Sequence, residues 1–127
     1  MIQKQLLVPD RVRRPPREGF SWVDRRFLRD FAARASGDAI GLYFFLTAVS
    51  DRHGLSFYSD ATIAARLRMR EEDIASARED LVTLDLIAYA APLTQVLSLP
   101  PPRVQRGGLH AWGELLRSEE SSTREAP

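Results

Sequence analysis

The stretch ATIAARLRMREEDIASAREDLVTL, residues 61–84, decides how this chain folds. Ile63, Ala64 and Leu67 fall on one side of a short helix that Ser59 or Asp60 is suited to cap. Arg68-Met69-Arg70 then makes a tight turn in which Met69 is the only apolar plug. Ile74, Ala77, Leu81 and Leu84 recur at helical spacing, which predicts a second helix from about Glu71 to Leu84.

Upstream, a helix is expected from roughly Asp38 to Asp51. Ile40, Leu42, Tyr43, Phe44, Phe45, Leu46 and Val49 are apolar on nearly every side, so this helix is expected at the centre of the core, capped by Ser36. Gly41 inside it lowers helix propensity and predicts close packing against a neighbour. Asp51-Arg52-His53-Gly54 ends it, with Gly54 suited to a left-handed stop. His53 reads as a surface turn residue. Leu55–Ser59 alternates weakly, as a short strand does. An earlier helix is expected after Asp24. Phe27, Leu28, Phe31, Ala32 and Ala35 make its apolar face, Val23 and Leu28 are placed for a hydrophobic staple, and Arg25, Arg26 and Arg29 lie on the far side. The predicted core joins Ile40, Phe44, Phe45, Ile63, Leu67, Ile74, Leu81 and Ile87.

Downstream, Ile87–Ala90 and Thr94–Leu99 read as two strands of a hairpin around Pro92, and Pro100-Pro101-Pro102 ends the folded body. The expected organisation is therefore a basic arm over residues 1–19, one domain over 20–99 and a Pro-led tail over 100–127. In the arm, Pro9, Pro15 and Pro16 deny Arg11–Arg17 a regular helix or central strand. The tail ends in SEESSTREAP, a disordered-looking composition. Within it Leu109, Trp112, Leu115 and Leu116 would share one face of a short amphipathic helix.

Composition excludes several function classes. A length of 127 residues favours one domain, since a second would leave neither half a sizeable core, and with no cysteine there is no disulfide, thiolate zinc site or cysteine nucleophile. No apolar run reaches the 18 or so residues of a membrane span, and the first residues lack the apolar stretch of a secretory signal. A soluble, cytoplasmic protein is expected. The net charge of +1 hides an asymmetry: residues 1–35 balance to +5 and residues 60–87 to −3. A basic arm on a neutral or acidic body suits a polyanion or an acidic partner. There is no phosphate-cradling glycine loop, no HExxH, no nucleophile elbow and no cluster of His with carboxylates, so neither an enzyme nor a cofactor nor a metal is expected.

The order helix, short strand, short helix, turn, longer helix, hairpin is that of a winged helix-turn-helix. The pieces DAIGLYFFL (38–46), DRHG (51–54), SFYS (56–59), TIAARLRM (62–69) and LVTLDLIAY (81–89) resemble the winged helix-turn-helix domains of plasmid and phage replication initiators and of regulators from mobile elements. The resemblance covers about residues 36–99. It implies a mainly α fold with a small antiparallel β hairpin, and a helix after the turn that enters the major groove. Carried over, the groove-facing positions are Arg70, Glu71, Glu72, Ala75, Ser76 and Glu79.

Two functions follow as expectations. The first is a bacterial DNA-binding protein of a mobile element, plasmid or phage, acting in transcriptional regulation or DNA replication initiation. Arg66, Arg68, Arg70, Ser76 and Arg78 would face double-stranded DNA, while Arg11, Arg13, Arg14 and Arg17 form an arm suited to a minor groove. The second is a winged-helix adaptor or dimerisation module. Its acidic helix 71–84, or the Trp112 segment, would bind a protein partner or a second copy. The acids favour the second: Glu71, Glu72 and Asp73 complement the helix dipole, but Glu79 and Asp80 lie beyond its reach and would repel phosphate. The hairpin tip, Tyr89 to Thr94, has no basic residue. The +5 first quarter favours the first.

Overall fold

A computed structural model describes residues 2–101 of the chain. The Trp112 segment and the rest of the tail lie outside the described residues. The chain divides after Leu97, and every element named here belongs to the first unit, Met1–Leu97.

Among the described residues the unit is mainly helical, with three α-helices and a small sheet. Helix α1, Gly37–Val49, begins where Ser36 accepts the Ala39 N–H on its hydroxyl. Helix α2, Asp60–Leu67, begins in the same way, with the Ser59 hydroxyl accepting from the Thr62 N–H at 3.1 Å. Helix α3, Glu71–Thr83, starts after a short turn. Both α2 and α3 close with a left-handed residue that is not glycine. Arg68 (φ 59°) lets the Met69 N–H reach back to the Ala64 carbonyl, and Asp85 (φ 65°) lets the Leu86 N–H reach the Leu81 carbonyl. These wide backbone bonds satisfy carbonyls that a helix end otherwise leaves open.

Strands β1 (Leu55–Ser56), β2 (Ile87–Ala90) and β3 (Leu93–Val96) form one antiparallel sheet in the order β1-β3-β2. Leu55 pairs with Gln95, and Ile87 pairs with Val96. β2 and β3 turn through Ala91-Pro92, a cis peptide bond. The hairpin falls where the sequence places it, but β3 starts one residue early and stops at Val96. The stretch expected as a strand to Ser59 pairs only over Leu55 and Ser56.

Phe45, Ile63, Ile74, Leu81 and Ile87 are buried as expected, together with Leu42, Tyr43, Leu46, Ala77 and Leu86. Three members of the predicted core are not: Leu67 is only half-buried, and two others face outward. Phe44 is 65% exposed and Ile40 37% exposed, because α1 packs on α2, α3 and β3 through its other sides. Gly41 also departs from expectation: a Cβ placed there meets nothing within 4 Å, so no neighbour among the described residues packs against it.

Residues before α1 are less regular than the periodicity predicts. Phe27–Phe31 is a single π-helical stretch followed by a 3-10 turn over Ala32–Arg34. Asp24 does serve at its start, its carboxylate accepting from the Arg26 N–H at 2.8 Å. Phe27 and Phe31 are buried, Phe27 stacking on Tyr43 with ring centroids 4.1 Å apart. Burial, with Asp24 nearby, raises the Tyr43 phenol above its usual range. Val23 and Leu28 are exposed, so the expected staple does not form.

Candidate nucleic-acid interface

The outward side of α3 is fixed by what its inward side buries. Ile74, Ala77 and Leu81 face the core, which leaves Glu71, Glu72, Ala75, Ser76, Glu79, Val82 and Thr83 exposed. No basic residue stands on that outward stripe. The cations that border it differ sharply in how free they are.

Arg78 is the most committed. Its side chain is only 12% exposed, and its guanidinium makes a two-pronged ion pair with Asp60 in the first turn of α2. The same guanidinium lies over the Tyr89 ring, 4.2 Å from its centroid. One side chain therefore ties α3 to α2 and to β2. Such planar, bidentate pairing with ring stacking suits arginine and not lysine.

Arg70, just before α3, is exposed but compensated. Asp73 accepts from its backbone N–H at 3.2 Å and from its Nε at 3.1 Å, and Glu72 lies 3.5 Å from the guanidinium. The pairing raises the Arg70 pKa further and lowers that of Asp73. Arg66 and Arg68 are exposed, and among the described residues their side chains make no hydrogen bond or ion pair. Arg66 is in the last turn of α2 and Arg68 is the left-handed residue beyond it. Ser76 is exposed midway along α3. The structure thus brings Arg66, Arg68 and Arg70 to the two sides of one turn, with Ser76 on the helix that follows and Arg78 turned into the body.

The acids of α3 are partly used up as well. Asp73 holds Arg70. The Asp80 carboxylate accepts from the Ser36 N–H at 3.4 Å, at the positive N-terminal end of α1. Asp80 thus answers the dipole of a different helix from its own, and no spacing within α3 announces that. Glu71 and Glu79 remain as acids with no ion pair among the described residues, and Glu72 is shared with Arg70. Sequence reasoning missed the Asp60–Arg78–Tyr89 cluster for the same cause: its members are 18 and 11 residues apart and meet only when the tertiary fold closes.

The arm presents Arg11, Arg13, Arg14 and Arg17, all exposed. Arg11 ends a single 3-10 turn, Pro9–Arg11. No ion pair among the described residues binds any of these four to α2 or α3. Among the described residues there is also no group of three or more His, Cys, Asp or Glu placed to hold a metal ion. No helix there is long and apolar enough to cross a membrane.

No protein-family model matches the chain, and neither a curated protein nor a solved structure matches it.

Proposed function

We propose that this protein binds double-stranded DNA through a winged helix-turn-helix, in transcriptional regulation or replication initiation for a bacterial mobile element, plasmid or phage. The observation that carries the reading is the pair of unpaired guanidiniums, Arg66 and Arg68, at the turn between two capped helices. On this reading α3 is the recognition helix and the β2–β3 hairpin the wing. Ser76 meets a base edge, and Arg66 and Arg68 meet phosphates on either side of the groove. Arg11, Arg13, Arg14 and Arg17 add contacts that do not depend on sequence. Arg70 and Arg78 contribute by fixing the pose of α3, since their charge is already answered within the chain.

A salt titration on random duplex tests this. Each phosphate contact contributes a slope of about −0.9 in log affinity against log salt. Replacing Arg66 and Arg68 by Ala should weaken binding to every duplex and reduce the slope by about 1.8. An unchanged slope would remove this surface from the interface.

One observation favours a second reading, an adaptor or dimerisation module that binds protein through α3. The outward stripe carries Glu71, Glu72 and Glu79 and no cation. The two readings predict opposite signs for Glu72→Gln with Glu79→Gln. A DNA reader binds random duplex more tightly once repulsion is removed. An adaptor loses its protein complex and gains no useful DNA affinity.

A further inference from the structure

Among the described residues, nothing covers the outward side of α1 from Gly37 to Phe44. Gly37, Gly41, Phe44 and Ala48 recur at helical spacing and form one lane along the helix, with Ile40 beside it. A Cβ placed on Gly37 or Gly41 meets nothing within 4 Å. Neither glycine is therefore demanded by packing among the described residues, and Gly41, in the helix interior, weakens the helix relative to alanine. What glycine does permit is the close approach of another backbone.

The lane is bordered by aromatic surface. The Ser21 hydroxyl donates to the Ala48 carbonyl at 3.1 Å, which holds residues 20–22 against the end of the lane. Phe20 and Trp22 on either side of it are 66% and 73% exposed. A fully buried aromatic removes about 150–250 Å² from water. Phe20, Trp22 and Phe44, with Ile40, therefore offer several hundred Å², approaching the roughly 800 Å² each partner gives to a stable interface.

We propose that this face is covered by a second copy of the same chain, the two α1 helices crossing antiparallel about a two-fold axis. A two-fold axis sets a patch against itself, so the patch must not carry charge of one sign. The lane carries none. Its ends carry opposite charges, Asp38 in the first turn of α1 and Arg52 just beyond the last, and antiparallel crossing brings unlike ends together. The helix dipoles then also run in opposition, which is the favourable sense. This face is separate from α3, so the inference does not depend on what α3 reads.

Sedimentation velocity of the full 127-residue chain over a concentration series, without DNA, tests it. The expected result is a concentration-dependent rise to twice the 14.4 kDa chain mass. Phe44→Glu should weaken association at least about tenfold, as loss of a central aromatic does. Gly41→Gln enters open space in the monomer, so it should leave thermal stability equal or higher while weakening association by a similar factor. That second variant decides the matter if Phe44→Glu disturbs folding. A parent chain that stays monomeric throughout overturns the proposal and leaves the face to another occupant, such as the tail or a different protein. A dimer indifferent to both substitutions overturns it equally, because its interface then lies elsewhere.

Discussion

The α3 junction, through Arg70 and Arg78, and the N-terminal arm, through Arg11, Arg13, Arg14 and Arg17, use their arginines in opposite ways. At the junction, Arg78 is spent on Asp60 and Tyr89, and Arg70 on Asp73 and Glu72. In residues 2–23 the four arginines of the arm stand exposed on a chain with two short turns, Pro9–Arg11 and Pro16–Gly19. The same side chain is a structural pin in one region and an uncommitted charge in the other. A tally of charge along the sequence cannot see this difference, because it depends on which acids the fold brings within reach.

Truncation should separate the two regions clearly. The largest effect is expected at Phe45, buried and set edge-on to Tyr58 at 5.3 Å. Phe45→Ala should cost on the order of 3–5 kcal/mol in urea unfolding. A loss under about 1 kcal/mol would mean that α1 is not the centre of the core.

Next is the pin. Arg78→Met leaves the Asp60 carboxylate without its partner and should cost about 1–3 kcal/mol. Solvent reaches the pair, which keeps it below the cost of breaking a fully buried one. The further change Asp60→Asn should restore part of the loss, and Arg70→Met, at an exposed pair, should hardly move the unfolding midpoint. Equal effects at Arg70 and Arg78 would erase the distinction drawn between them.

A smaller effect depends on pH. The Asp51 carboxylate accepts from the backbone N–H groups of Leu55 and His53, at 2.9 and 2.8 Å, and these bonds hold its pKa below the usual range. Its stabilisation is complete above the ordinary carboxylate pKa of about 4 and is lost as pH falls through the lowered folded value. Asp51→Ala should therefore be less stable than the parent at pH 7, and the two should converge in acid. The smallest effect is expected in the arm. Removing residues 2–18 should leave the unfolding midpoint in place while reducing DNA affinity at low salt. A large loss of stability would show that the arm is part of the folded body.

What could be read from the sequence was local. Ser36 and Ser59 announce their helices because a cap acts within three residues, and Gly54 announces its turn because left-handed backbone favours it (φ 83°). The apolar spacing of Ile63, Ile74, Ala77 and Leu81 gives the direction of α2 and α3. That logic fails for α1. When a helix is apolar on every side, periodicity has no preferred direction, and Phe44 cannot be told from Phe45. In the candidate interface, Arg66, Arg68 and Ser76 could be nominated as exposed. The engagement of Arg78 and Asp80 could not, since their partners Asp60 and Ser36 lie 18 and 44 residues away.

Gly54 also has a consequence for how the sheet is assembled. Its carbonyl accepts from the Val96 N–H at 2.8 Å, and a side chain on its Cα would collide with the Val96 carbonyl. The exit of α1 is thus clamped to the far end of β3 at one residue and no other. A slip of β3 by one position would carry Thr94, now buried, to the solvent face and bring Gln95 inward. The clamp leaves so short a sheet a single setting, like the index notch of a dial. The hairpin tip is therefore indexed against the exit of α1 before any partner arrives.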